Sequence, residues 1–176
     1  MKTAAVWLAC VNVLLAQTNS YVLKAAHLFD SATGQLATPG LVVVSNGVIR
    51  SVGGSAPAGV AVLDLGDATL LPGFIDAHTH LSDEFNPDYS GDALLSLQRP
   101  ISEKAIRATA NARKTVMAGF TTVRNVGSED FLDVGLRNSI KAGIVPGPRM
   151  LFSLHAIGST GGHCDDSDGF RPGFSS

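Results

Sequence analysis

Leu70-Leu71-Pro72-Gly73-Phe74-Ile75-Asp76-Ala77-His78-Thr79-His80-Leu81 is an apolar run that ends in two histidines one residue apart. Side-chain direction in a strand repeats every two residues, so the run predicts a strand with Asp76, His78 and His80 on one face. Two neutral imidazoles held by one rigid strand suit a borderline-soft divalent ion and lose little entropy on binding it. Pro72 and Gly73 mark a turn into the strand, and the polar residues after Leu81 mark its end. The candidate site then lies at the strand's C-terminal edge, where α/β barrels carry their chemistry. Asp76 reads equally as a partner of the imidazoles or as a carboxylate that stabilises a turn.

Downstream, strand-like and helix-like runs alternate. A polar stretch from Ser82 to Pro100 is long for a β/α connection, and loops of that kind line or cover sites. From Ser102, read as an N-cap, a helix is predicted to Met117, with Ile106, Thr109, Ala110, Arg113, Val116 and Met117 as its stripe and Gly119 as its stop. Phe120 to Val126 is β-branched and predicts a second strand. Asp130 is placed to cap the next helix, with Asp133 as a capping-box-like acid. Phe131, Leu132, Leu136 and Ile140 form the stripe of that helix, and Gly143 ends it. Pro146 and Pro148 forbid helix, and Arg149 to His155 predicts a third strand. This order predicts an α/β chain built from repeated βαβ units with parallel strands.

Upstream, Tyr21 to Asp30 is a β-like run and Ser31 to Gly40 a polar connection. Leu41 to Val44 and Val48 to Gly53 flank Asn46-Gly47, a hairpin signal because both residues tolerate positive φ. With Val60 to Leu65 these runs predict a small antiparallel β unit. Met1-Lys2 followed by a largely apolar, uncharged stretch to Ala16 has the pattern of an export signal and is too short to span a bilayer. Residues 1–20 are therefore expected to be a signal peptide, cleaved after Ala16 or Ser20, with a secreted or periplasmic mature protein; a buried first strand or an uncleaved anchor is the alternative. The expected domains are 21–70 as a β segment and 71–176 as the α/β part.

A chain of 176 residues that is 45% hydrophobic can bury a core and is not disordered. A net charge of -2 gives no electrostatic footprint for nucleic acid or for an anionic membrane surface. Of the two cysteines, Cys10 lies in the export stretch, so removal of that stretch leaves Cys164 without an internal disulfide partner. Gly158 to Asp166 includes Gly161-Gly162-His163, in which backbone N–H groups and His163 suit a substrate carboxylate or phosphate. No Gly-Lys-Ser/Thr follows, so it is not a P-loop. Asp165, Asp166 and Asp168 lack the remaining ligands of a calcium loop. His155 and Arg124 close the third and second predicted strands, where a barrel displays contact residues. Both are candidate substrate-binding groups, with ordinary hydrogen bonding or ion pairing as the plainer alternative. His27 reads as an exposed polar residue.

Pro72-Gly73-Phe74-Ile75-Asp76-Ala77-His78-Thr79-His80-Leu81 resembles the signature of the amidohydrolase superfamily. Gly119 to Asn125, Gly147-Pro148-Arg149 and Gly161-Gly162-His163 are similar to the branch of imidazolonepropionase-like enzymes and Xaa-Pro dipeptidases. The resemblance implies the first part of a (β/α)₈ barrel, preceded by a β-sandwich segment that strands from beyond the barrel normally complete. It implies one or two divalent ions, zinc or similar, with His78 and His80 as metal ligands, and it suggests a substrate contact for His163. The other ligands, a carboxylated Lys, two His and an Asp that also acts as acid/base, are expected beyond Ser176, so the chain is expected to be an N-terminal portion and inactive alone. The implied activity is metal-assisted hydrolysis of an amide or peptide-like C–N bond in a small, dipeptide-like substrate. A homo-oligomer is compatible with the full-length protein. A cyclic amide hydrolase or deaminase is the alternative within enzymes, and a non-catalytic metal-binding or interaction fragment the alternative outside them. The branch often has Asp where this chain has Asn125.

Overall fold

The computed structural model describes residues 20–83, 87–88, 95, 98–160, 162 and 164. The expected signal segment, His163 and the Asp165 to Asp168 group lie outside them. The chain divides into two compact units, Met1–Pro72 and Gly73–Ser176.

In the first unit, β1 (Ser20–Ala25), β4 (Gly40–Ser45), β5 (Val48–Val52) and β6 (Ala61–Asp64) form a sheet in the order β5-β4-β1-β6. A second sheet has the order β3-β2-β7, from β2 (His27–Asp30), β3 (Gln35–Ala37) and β7 (Thr69–Leu70). The valine run of β4 is buried on both faces. Leu41 and Val43 pack with Val22, whereas Val42 and Val44 pack with Leu28 of the second sheet. A continuous apolar run therefore marks a strand covered on both sides, and the alternation expected of a half-exposed strand is absent. Asn46 and Gly47 turn the β4–β5 hairpin with φ of 52° and 74°. Gly40 admits no side chain, since a Cβ there would run into the His27 carbonyl.

The expected antiparallel unit is only partly so. β1 pairs with β6 in parallel, and so does β2 with β7. The single run predicted for 21–30 is two strands in different sheets, broken at Ala26, whose N–H turns aside to the Gly66 carbonyl at 2.9 Å. The polar connection 31–40 contains β3, which pairs through backbone groups and needs no apolar pattern. His27 is half-buried, its Nδ1 3.0 Å from Thr38 Oγ1.

The second unit contains β8 (Phe74–Thr79), α1 (Ile101–Met117), β9 (Phe120–Asn125), α2 (Leu132–Lys141) and β10 (Arg149–Phe152). The strands are parallel in the order β10-β9-β8, one helix following each of the first two. Strand–helix alternation with parallel pairing is the opening of a (β/α)₈ barrel, and among the described residues the sheet is not closed. Leu81, Ala108, Ala112, Val123, Leu132, Leu136 and Met150 form the core.

The buried face of α1 differs from the expected stripe. Lys104, Ala108, Asn111 and Ala112 are buried, while Ile106 is 71% and Met117 73% exposed. Alanines let the helix approach β9 closely, so small residues mark the inner face here and the larger apolar ones do not. Neither expected N-cap is used. Pro100 occupies the position before α1, and Ser102 lies inside that helix. Before α2 stands Phe131, at φ 58°, with Asp130 at φ 44°, and neither helix has a side-chain cap. Phe131 is 60% exposed and does not belong to the buried stripe.

Asp133 is 1% exposed, and its two carboxylate oxygens have no hydrogen-bond partner among the described residues, so it is not a capping-box acid. A buried unpaired charge costs more than a buried amide of the same shape. Asp133→Asn is therefore expected to stabilise the unit by about 1 kcal/mol, a rise of about 2–4 °C in Tm for a chain of this size. A thermal melt followed by circular dichroism checks it, and a lowered Tm contradicts it.

Candidate metal and substrate site

β8 delivers the two histidines. The rings of His78 and His80 lie with centroids 5.4 Å apart and planes at 60°. The residue pair is thus brought together at the C-terminal end of the strand, and both side chains are exposed. Asp76 does not share this arrangement by simple alternation. Between the pairs Asp76–Val123 and Thr79–Asn125, β8 advances three residues and β9 two, so β8 carries an extra residue there. Asp76 Oδ1 instead accepts the backbone N–H of His78 at 3.0 Å, a local turn-like bond that braces the irregular stretch. The Asp76 carboxylate thus braces the β8 backbone at His78, within the strand and not at a turn.

Past the strand the chain is fixed by two buried asparagines. Asn125 Oδ1 accepts the Leu81 N–H at 2.9 Å, and Asn111 Nδ2 donates to the Leu81 carbonyl at 3.1 Å. Leu81 itself is 5% exposed in the core, so the residue after His80 is anchored by its side chain and by both backbone groups. His80 Nδ1 stands 3.4 Å from the Gly127 carbonyl oxygen. With a proton on Nδ1 this contact is a hydrogen bond, and Nε2 then keeps its lone pair, the protonation state a metal ligand needs.

Arg124 is at the end of β9 as expected, and its Nε donates to the Ala77 carbonyl at 2.7 Å. That bond ties β9's side chain to β8 just before the histidines. Arg124 also lines an open cleft of about 410 Å³ together with Val126, Leu151, Phe152, Ser153 and Ile157. A guanidinium beside an apolar wall suits a ligand with a carboxylate and an apolar side chain.

His155 is not at a strand end. β10 stops at Phe152, and Leu154 at φ 71° turns the chain before His155. An αL residue breaks the extended geometry that a longer strand would need. The His155 ring packs edge-on against Phe131 at 5.8 Å, which joins the loop after β10 to the loop after β9. It does not line the cleft around Arg124. Cys164 is exposed and unpaired with any sulfur.

The donor set fits a divalent ion in kind, with two imidazoles close together and a backbone acceptor on one Nδ1. It is not a full coordination sphere. Among the described residues no group of three or more His, Cys, Asp or Glu side chains is placed to hold a metal. Beside the pair, Asn125 Nδ2 donates to the Gly127 carbonyl at 3.1 Å, a contact that the sequence pattern does not announce.

The model of the amidohydrolase family matches residues 69–168. Among solved structures, a Xaa-Pro dipeptidase with bound methionine in the active site is 30% identical with a TM-score of 0.73, over 89% of this chain and 38% of that one. A prolidase complexed with N-methylphosphonate-L-proline is 28% identical with a TM-score of 0.70, over 89% and 36%. Phenylurea hydrolase B, 22% identical with a TM-score of 0.65 over 79% and 31%, shares the fold. The chain thus spans about a third of the length of these relatives.

Proposed function

The chain belongs to the amidohydrolase family, and from that premise we propose that it forms part of a metal-dependent hydrolase cleaving an amide or peptide-like C–N bond in a small, dipeptide-like substrate. The observation that carries the reading is the paired rings of His78 and His80, 5.4 Å apart, with His80 Nδ1 against a backbone carbonyl. The likeness to a Xaa-Pro dipeptidase and a prolidase supports the substrate class.

A bound divalent ion, zinc or similar, would supply Lewis acidity and a water of lowered pKa at this strand end. His78 and His80 would hold it through ring nitrogens. Neither is then free to act as the general base. Arg124 would take the substrate carboxylate, and Leu151, Phe152 and Ile157 of the same open cleft would offer an apolar wall beside it. His155 would contact substrate from the loop after β10, beside Phe131 and outside the Arg124 cleft, and His163 would add a donor. The N-terminal stretch supports a secreted or periplasmic location.

Two imidazoles leave the coordination sphere short of the three protein ligands that catalytic zinc sites use. Purified residues 1–176 with added zinc are therefore expected to release no proline from Xaa-Pro dipeptides. The same residues, continued to the length of the relatives, are expected to do so. Robust turnover by the 176-residue chain would overturn the need for further ligands. Failure of the longer protein on every Xaa-Pro dipeptide would overturn the substrate class.

A further inference from the structure

We propose that the Phe131 ring, paired with His155, is a specificity-determining contact for the substrate residue on the amino side of the scissile bond, and favours a large apolar or aromatic side chain there. The inference rests on the reading of this strand end as a hydrolytic site for dipeptide-like substrates. Phe131 stands at φ 58° and ψ 22°, after Asp130 at φ 44°. The left-handed region disfavours bulky L-residues and suits glycine. The backbone has a use for this conformation. The Phe131 carbonyl accepts the Val134 and Gly135 N–H groups at 3.0 and 3.3 Å and so opens α2. Any residue supplies that carbonyl, and glycine would supply it without strain. Core packing does not account for the phenyl ring either. It is 60% exposed, and Leu132 and Leu136 of the same helix make the core contacts. A strained backbone that carries an exposed ring at the functional end of the sheet points to a use for the ring itself.

The position of the pair says which part of a substrate it meets. Phe131 and His155 lie with ring centroids 5.8 Å apart and planes at 77°, and His155 is exposed as well. An edge-on pair of this kind leaves aromatic surface open to a third group. A Cβ on Gly127 would stand 3.2 Å from His80 Cε1 and 3.3 Å from the Cβ of Ala156, the residue after His155. His80 and the loop after β10 therefore border one point, and the aromatic pair stands beside the histidine strand. Ile157, two residues after His155, lines the cleft around Arg124, whereas Phe131 and His155 do not. A dipeptide with its carboxylate at Arg124 and its scissile bond at the histidines leaves its amino-side residue for the pair. A phenyl ring there rewards apolar area and aromatic contact.

The test uses the protein continued to the length of its relatives and loaded with zinc, with phenylalanyl-proline and glycyl-proline as the two substrates. Phe131→Gly is expected to lower kcat/KM for phenylalanyl-proline relative to glycyl-proline by about 10-fold, the scale of one aromatic contact with its buried area. The loss is expected in KM with kcat little changed, because the contact is made equally in the bound substrate and in the transition state. Glycine accepts the backbone angles, so the variant is expected to melt no lower than wild type. Phe131→Tyr, which keeps the ring, is expected to keep the wild-type preference. A folded Phe131→Gly with an unchanged ratio between the two substrates overturns the proposal, whatever its melt. Should Phe131→Gly not fold, Phe131→Asn, also tolerant of positive φ, takes its place under the same criterion. Loss of the fold in both variants would make the ring a packing element and overturn the proposal too. Wild-type protein that cleaves neither dipeptide overturns the dipeptidase reading and this inference with it, an outcome distinct from a Phe131 variant that leaves an active enzyme's preference unmoved.

Discussion

His80→Ala in the protein continued to full barrel length is expected to weaken zinc binding by more than about 100-fold and to abolish hydrolysis, because even groups that only orient a ligand are worth about 10- to 100-fold. The substitution removes a nitrogen donor that the fold has already aimed. Leu81 is anchored in the core on one side of it, and the Gly127 carbonyl oxygen lies 3.4 Å from its Nδ1. Little of that scaffold depends on the imidazole. The His80 side chain is exposed, and the Leu81 N–H and carbonyl bonds are made by Asn125 and Asn111 whatever residue stands at 80. The melt is therefore expected to stay within a few degrees of wild type while metal content after dialysis falls to background. Elemental analysis that finds unchanged zinc in a folded His80→Ala protein would remove the basis of the metal site. His78→Ala is expected to behave in the same way.

The difference between what was legible and what was not follows from the range of each signal. The histidine pair was legible because a two-residue spacing in a strand is a local property, and its alternation held from His78 to His80. It failed one step earlier, at Asp76, because the extra residue in β8 is set by pairing with β9 and leaves no mark in the local pattern. The parallel order of β8, β9 and β10 followed from the alternation of strand and helix runs. The inner face of α1 is not legible from apolar spacing, because burial there falls on Ala108 and Ala112, while Ile106 and Met117 carry the larger apolar side chains on exposed positions. Apolar spacing identifies a helix more securely than it identifies the face that packs. Arg149 to His155 has β-like composition throughout, yet the strand ends where its partner does, at the Phe152–Asn125 pair, and leaves His155 outside it. The bond between Asn125 and Gly127 joins residues two apart, yet no spacing rule marks it.

Gly73→Ala is expected to be the most destabilising single methyl added to this second unit, by about 3 kcal/mol, at the upper end of what overpacking costs. Pro72-Gly73 reads in the sequence as a turn into the strand, and glycine in a turn is usually there for its backbone freedom. Here the reason is space. Gly73 does not require positive φ, but a Cβ on it would overlap the Oγ1 and Cγ2 atoms of Thr121 and stand 2.7 Å from Thr121 Cβ. Thr121 is on β9, beside the start of β8, where the Phe74 N–H bonds the Gly119 carbonyl at 2.9 Å. Neither strand can retreat without losing that bond and the Phe74–Phe120 ring contact at 5.6 Å. For a chain of this size about 3 kcal/mol corresponds to a fall of roughly 6–12 °C in Tm. Thr121→Ala removes the two outermost clashing atoms but not the Cβ, so in the Gly73→Ala background it is expected to restore part of the loss, and Thr121→Gly more of it. A double-mutant cycle reads this as a coupling of about 1–3 kcal/mol. Additive effects of the two substitutions would show that Gly73 acts through its backbone after all, and an unchanged melt for Gly73→Ala would show that β8 and β9 are not as close at this end as described. The distinction bears on the metal site, because a β8 displaced at Gly73 carries His78 and His80 with it. Gly73→Ala is accordingly expected to lower zinc affinity in the folded fraction, and Thr121→Gly to recover it together with the melt.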